Sequence, residues 1–161
     1  MVLDDADLDL AAHAAVVGRF LHQGQICMSS NRIIVDASLQ KDFVEAFVER
    51  VRQLKVGDPD LADTVIGPLI NRRQLEGAVA RIEAAKAESI ELLLGGAAHG
   101  QVLPPHVFVN VDNMSDLAPA EQFCPVAPII TARDEAHALE LANQTEFGLS
   151  SAVFTKDEGR G

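Results

Sequence analysis

The chain has 161 residues, 48% of them hydrophobic, and carries a net charge of −11 from 24 acidic and 13 basic side chains. That size suits one domain with a substantial apolar core. The charge argues against a nucleic-acid surface, which needs clustered Lys and Arg, and against an anionic membrane; no apolar run approaches the roughly 20 residues that span a bilayer.

Asp4, Asp5 and Asp7 form an acidic entry to a first helix, where free backbone N–H groups favour negative charge. Leu8, Ala12, Ala15, Val16 and Phe20 recur at helical spacing, and Gly24 marks the expected end. Arg32-Ile33-Ile34-Val35 has the composition of a buried strand. Ser38 is then expected to cap a long helix with Phe43, Phe47, Val51 and Leu54 on one stripe and Glu45, Glu49 and Arg50 on the wet side.

Val56-Gly57-Asp58-Pro59 is a turn signal, and a loop runs on to Gly67-Pro68. A further helix is expected from about Asn71 to Ala87, with Leu75, Val79 and Ile82 inward. Strands are expected over Ile90–Leu94, closed by Gly95-Gly96, then over Val107–Val109 and Val126–Thr131. A helix over Ala136–Ala142 and a last strand over Ser150–Phe154 complete the pattern. Strands alternating with helices predict one α/β layered domain with at least part of the sheet parallel. A sheet ending on that last strand is expected to leave an edge or apolar face uncovered.

The opening Met1-Val2-Leu3-Asp4-Asp5 is acidic where a secretory signal is basic, and two cysteines are too few for a disulfide framework. A reduced, cytoplasmic setting is therefore the default expectation. Whether Cys27 and Cys124 pair is open at this point. The five histidines are scattered without ligand spacing, so no metal site is expected. Asp5, Asp7 and Asp9 mimic the start of a calcium loop, but Leu10 stands where that loop needs Gly and Val16 where it needs Glu. No G-x-G-x-x-G follows a strand, so no dinucleotide fingerprint is present.

The stretch Gly24-Gln25-Ile26-Cys27-Met28-Ser29-Ser30-Asn31 sets a thiol just beyond the first helix. From the residues alone it has two readings: a nucleophile, if a dipole, cation or base ionises it, or an inert buried hydrophobe. His22, five residues earlier, is either a base for it or a surface residue.

Leu21-His22-Gln23-Gly24-Gln25-Ile26-Cys27-Met28, with Asn31-Arg32-Ile33-Ile34-Val35 after it, resembles the nucleophile segment of the NAD(P)-dependent aldehyde dehydrogenases. The opening Val2-Leu3-Asp4-Asp5-Ala6-Asp7-Leu8 resembles the family's stretch before that segment. Gly57-Asp58-Pro59 with Gly67-Pro68-Leu69-Ile70-Asn71, Glu121-Gln122-Phe123-Cys124-Pro125-Val126 and Asn143-Gln144-Thr145-Glu146-Phe147-Gly148-Leu149-Ser150 follow in family order.

The resemblance implies a layered α/β/α catalytic domain of aldehyde dehydrogenase type, with a largely parallel sheet, over residues 1–161. It implies truncation at both ends and no NAD-binding Rossmann domain. Cys27 would be the thiolate that adds to an aldehyde, oxidised through a thiohemiacetal and a thioester to the acid. Glu121 would hold the nicotinamide ribose and Phe123 would pack near the ring; their bland alternatives are a solvated carboxylate and a core aromatic. NAD or NADP is expected in an intact relative and no cofactor on this chain, because the family's base glutamate, its oxyanion asparagine and its cofactor lysine belong upstream. The implied partners are a small-molecule aldehyde, with the surroundings of Cys27 leaning towards the aromatic-aldehyde branch, and further copies of the chain. Alternatives are a non-catalytic association module and cofactor-independent acylation of the thiol. Cys124 stands where the family usually has glycine; if the backbone there needs positive φ or close approach to the cofactor, its side chain is unwelcome.

Overall fold

The structure, a computed structural model, describes residues 1–161. Its centre is β4 (Val126–Ala132), along which Ala127 and Ile129 enter one apolar cluster while Val126, Ile130 and Ala132 enter another. Successive side chains of a strand face opposite ways, so β4 is buried on both faces. β1 (Ile33–Asp36) pairs with it in parallel, Ile33 opposite Ile129. β3 (His106–Val109) pairs in parallel on its other side, His106 opposite Val126, and β2 (Glu91–Leu94) closes the order β1-β4-β3-β2 antiparallel to β3.

Helices α1 (Leu8–Phe20) and α2 (Gln40–Arg52) cover one face. Their stripes bring Phe20, Phe43 and Phe47 together, with ring centroids 6.1 and 5.8 Å apart. Each such burial contributes about 1.5–3 kcal/mol. Helices α3 (Arg72–Ala87) and α4 (Glu135–Asn143) cover the other face, where Ala78, Ile82, Ala138 and Leu141 meet Ile34, Phe108 and Ile130. The expected α/β/α layering and largely parallel sheet are present. The expected acidic entry also holds: Asp7 caps α1, its side chain accepting the N–H of Leu10 at 3.1 Å.

Three local expectations need correction. Ser38 does not cap α2; both its N–H and its hydroxyl donate to Asp36 Oδ1, and α2 starts after Leu39 without a side-chain cap. The last strand does not form. Only Phe154 bridges Val2, and Val2 in turn flanks β1 through Val2 N–H to Ile34 O (2.8 Å) and Asp36 N–H to Val2 O (2.9 Å). Gly148, Ser150, Ser151 and Ala152 are exposed and offer no apolar row to bury, so a single bridge is all the segment supports. Finally, α1 ends at Phe20, and a short 3-10 turn over Leu21–Gly24 follows.

Candidate active site

The 3-10 turn after α1 is sharply reversed. His22 (φ 49°), Gln23 (φ 60°) and Gly24 (φ 73°) are all left-handed. Two of these are not glycine and hold the conformation against a steric cost. The chain then makes a tight turn closed by Ser29 N–H to Ile26 O at 3.0 Å, with Cys27 and Met28 at its tip. Ser29 Oγ donates to the Gly18 and Arg19 carbonyls (3.1 and 3.2 Å), and Ser30 N–H donates to Gly18 O (2.9 Å). These satisfy carbonyls that the end of a helix leaves without partners, and they fasten the turn to α1. Gln25 Oε1 accepts the N–H of Ile70, tying the turn to the loop before α3 as well.

Cys27 is exposed and unpaired. Its N–H makes no hydrogen bond within the chain. A sulfur and a free donor on one residue is an arrangement that can attack a carbonyl and receive the negative charge that develops on its oxygen. Cys124 is also unpaired, but sealed in the second apolar cluster. Burial pushes its thiol up to about 11, with Arg19 and Arg81 opposing the shift.

Glu121 and Phe123 lie in the loop before β4. The Glu121 carboxylate is exposed and makes no hydrogen bond, while its main-chain oxygen accepts from Arg81 Nη1 at 3.1 Å. Phe123 is half-buried and left-handed (φ 44°), and its carbonyl accepts from Gln74 Nε2 at 2.8 Å. The backbone strain therefore falls on Phe123 rather than on Cys124, so Cys124 meets no positive-φ cost and its side chain lies buried in the core.

Because β1 and β4 are parallel neighbours, the loops that enter them lie at the same end of the sheet, and this sets the Cys27 turn beside the Glu121–Phe123 segment. It is the amino end of both strands, opposite the end where open α/β sheets ordinarily take ligands. Asn31 stitches the two loops: its Nδ2 donates to Ala120 O at 2.7 Å and its Oδ1 accepts the N–H of Gln122 at 3.1 Å. Gln122 is buried, and its Nε2 donates to Leu117 O at 2.7 Å.

Of this polar scaffold, Asn31 stood out in the sequence as a local donor beside the thiol, whereas Arg19, Gln74, Arg81 and Gln122 were not legible as parts of it. Arg19 did carry a signal, since it falls in the apolar stripe of α1 between Val16 and Phe20, where a charge has no place without a purpose. Two clefts of about 690 and 610 Å³ flank α3, and neither is lined by Cys27, Glu121 or Phe123. No helix is long and apolar enough to cross a membrane.

Fold and site together define a three-layered α/β domain that presents an exposed thiol on a fastened turn beside an acidic loop. The chain belongs to the aldehyde dehydrogenase family, whose family model matches residues 1–161. It is 50% identical over 160 residues to the vanillin dehydrogenase of Corynebacterium glutamicum, covering 99% of this chain and 33% of that protein. It is 44% identical over 162 residues to the benzaldehyde dehydrogenase YfmT of Bacillus subtilis, covering 100% of this chain and 33% of that protein. The crystal structure of an NAD-dependent benzaldehyde dehydrogenase from Corynebacterium glutamicum superposes with a TM-score of 0.95 at 50% identity, over 99% of this chain and 35% of that one. The chain thus spans about a third of the length of the curated relatives it matches.

Proposed function

We propose that this chain supplies the nucleophile of an NAD(P)-dependent oxidation of an aldehyde to a carboxylic acid. The observation that carries the reading is Cys27 itself: an exposed sulfur at the tip of a braced turn, with its own N–H unused. The sulfur adds to the aldehyde carbonyl. The Cys27 N–H donates to the oxygen as it gains charge, a preorganised interaction whose loss costs on the order of 100-fold or more in comparable acyl chemistry. Oxidation leaves an acyl group on the sulfur, and water releases it as the acid.

The residues present fit a nicotinamide ribose on the cofactor side. Glu121 keeps a carboxylate free of internal partners, as an acceptor of ribose hydroxyls requires, and Phe123 offers an aromatic face on a pinned backbone. A nicotinamide held there would supply the hydride acceptor for the oxidation. Relatives named for vanillin and benzaldehyde support an aromatic aldehyde as substrate, and solved relatives described as NAD- and NADP-dependent support NAD or NADP as acceptor; two unpaired cysteines fit a reducing, cytoplasmic setting. The whole reaction is proposed for a protein that contains these residues; residues 1–161 by themselves accept an acyl group on Cys27 without oxidising aldehyde.

The test replaces the matching third of the Corynebacterium glutamicum vanillin dehydrogenase with residues 1–161 and follows NADH formation from vanillin. We expect an active chimera in which Cys27→Ala removes activity by roughly 1,000-fold or more and Glu121→Gln raises KM for NAD. NADH formation that persists in the Cys27→Ala chimera contradicts the reading.

A second reading, self-association, is favoured by one feature. Leu10 and Val17 are exposed apolar residues on the outer side of α1, and Leu21 is exposed just past its end. It predicts concentration-dependent sedimentation unaffected by Cys27→Ala; a monomer at all concentrations contradicts it.

A further inference from the structure

Arg19 is fully buried, yet no carboxylate lies within ion-pair distance of it. Its guanidinium spends its donors on oxygens from two separate loops. Nη1 donates to Ser30 O at 3.1 Å and to Asn31 Oδ1 at 3.4 Å, three and four residues past Cys27. Nη2 donates to Cys124 O at 2.6 Å, one residue past Phe123. The planar fork of an arginine reaches both at fixed separation, which a flexible ammonium does not. Nε is buried without a partner.

Gly24 completes the junction. A Cβ there would collide with Nη2 of Arg19 and approach Cys124 O to 2.6 Å, so three strands of chain meet where only a glycine fits. A buried cation with no counter-ion is a poor device for stability; burial pulls this guanidinium down to about 10, with Cys124 opposing the shift. An apolar residue would serve the core of α1 better. What the charge provides is a rigid spacer between the two halves of the site.

We propose that Arg19 is a positioning residue: its guanidinium sets the spacing of the Cys27 turn from the Glu121–Phe123 segment and thereby the aim of the Cys27 N–H. This rests on the reading of Cys27 as an acyl-accepting nucleophile. Two reagents separate the roles. With p-nitrophenyl acetate the sulfur gains the acetyl group and p-nitrophenolate leaves, through an oxyanion that the N–H must meet. With iodoacetamide the sulfur displaces iodide, and no oxyanion forms. A residue that matters only for folding moves both rates together or neither.

The experiment uses the full chain, with peptide-resolved mass spectrometry to read rates at Cys27 alone. Arg19→Met is expected to lower acetylation on the order of 10-fold while alkylation stays within about 2-fold. Arg19→Lys, which reaches one loop but does not fork to both, is expected to lower acetylation about 3-fold. An unchanged ratio of the two rates in a folded Arg19→Met overturns the proposal. If that variant does not fold, an unchanged ratio in Arg19→Lys overturns it, and so does failure of both variants to fold. Absence of acetylation at Cys27 in the unsubstituted chain is a different result, and it defeats the nucleophile reading itself.

Discussion

Asn31 and Gln122 are paired across the site: Oδ1 of Asn31, four residues beyond the thiol, accepts the main-chain N–H of Gln122 at 3.1 Å. Together with the bond from Asn31 Nδ2 to Ala120 O, the side chain ties the loops that lead into β1 and β4. Asn31→Ala leaves the Gln122 N–H and the Ala120 carbonyl without these partners in a partly buried place. We expect a loss of about 1–3 kcal/mol in urea unfolding. Amide exchange is expected to rise over residues 118–124 and not in α2. Asn31→Asp keeps the acceptor and loses the donor, so its cost is expected to be smaller for Gln122 N–H exchange than that of Ala.

Two glycines should respond oppositely to alanine. Gly24 is left-handed and hemmed in by Arg19 and Cys124, so Gly24→Ala is expected to destabilise by about 2–4 kcal/mol. Gly77 lies on the exposed side of α3 with open space around it. There Gly77→Ala is expected to stabilise by about 0.5–1 kcal/mol, since alanine favours the helix and restricts the unfolded chain. Thermal or urea unfolding of the pair checks both signs.

His106 gives a pH dependence. Its ring is buried, with Nδ1 2.8 Å from Pro104 O and Nε2 accepting the Gly96 N–H at 3.4 Å, which makes it a neutral ring with Nδ1 as donor. Burial holds its pKa below the ordinary 6.5; Lys86 pushes the same way, while the bond to Pro104 and the charge of Glu83 oppose. The unfolded chain therefore binds this proton more readily than the folded one. The stability contributed is fully present above pH 6.5 and is lost as pH falls through the lower folded value. Unfolding free energies at pH 7.5, about 6 and about 5 are expected to fall, and the slope is expected to flatten in His106→Gln. An equal slope in the variant contradicts the assignment.

The layered α/β architecture was legible because it rests on short-range periodicity. Helical spacing placed the buried faces of α1 and α2, and the apolar runs at Ile33 and Val126 located β1 and β4. Cys27, Glu121 and Phe123 came into view through motif order rather than through any physical signal of their own. The scaffold beneath them did not, because it is made of contacts such as Arg19 to Cys124, separated by 105 residues. Left-handed His22, Gln23 and Phe123 were invisible for a related reason: none is glycine, and tertiary contacts impose the conformation. Ser38 misled because its hydroxyl had a nearer partner in Asp36 than the first turn of α2. Ser150–Phe154 misled because it meets Met1–Leu3 only through the Ala152 carbonyl and Phe154, a single bridge rather than a strand.

The most direct measurement exposes the unsubstituted chain to p-nitrophenyl acetate at neutral pH and maps acetyl groups by peptide mass spectrometry. Acetyl is expected on Cys27, exposed at its turn, and none on Cys124, which is buried with its thiol held protonated. Acetyl on Cys124 with Cys27 untouched, or no thiol adduct at all, contradicts the reading of Cys27 as the nucleophile.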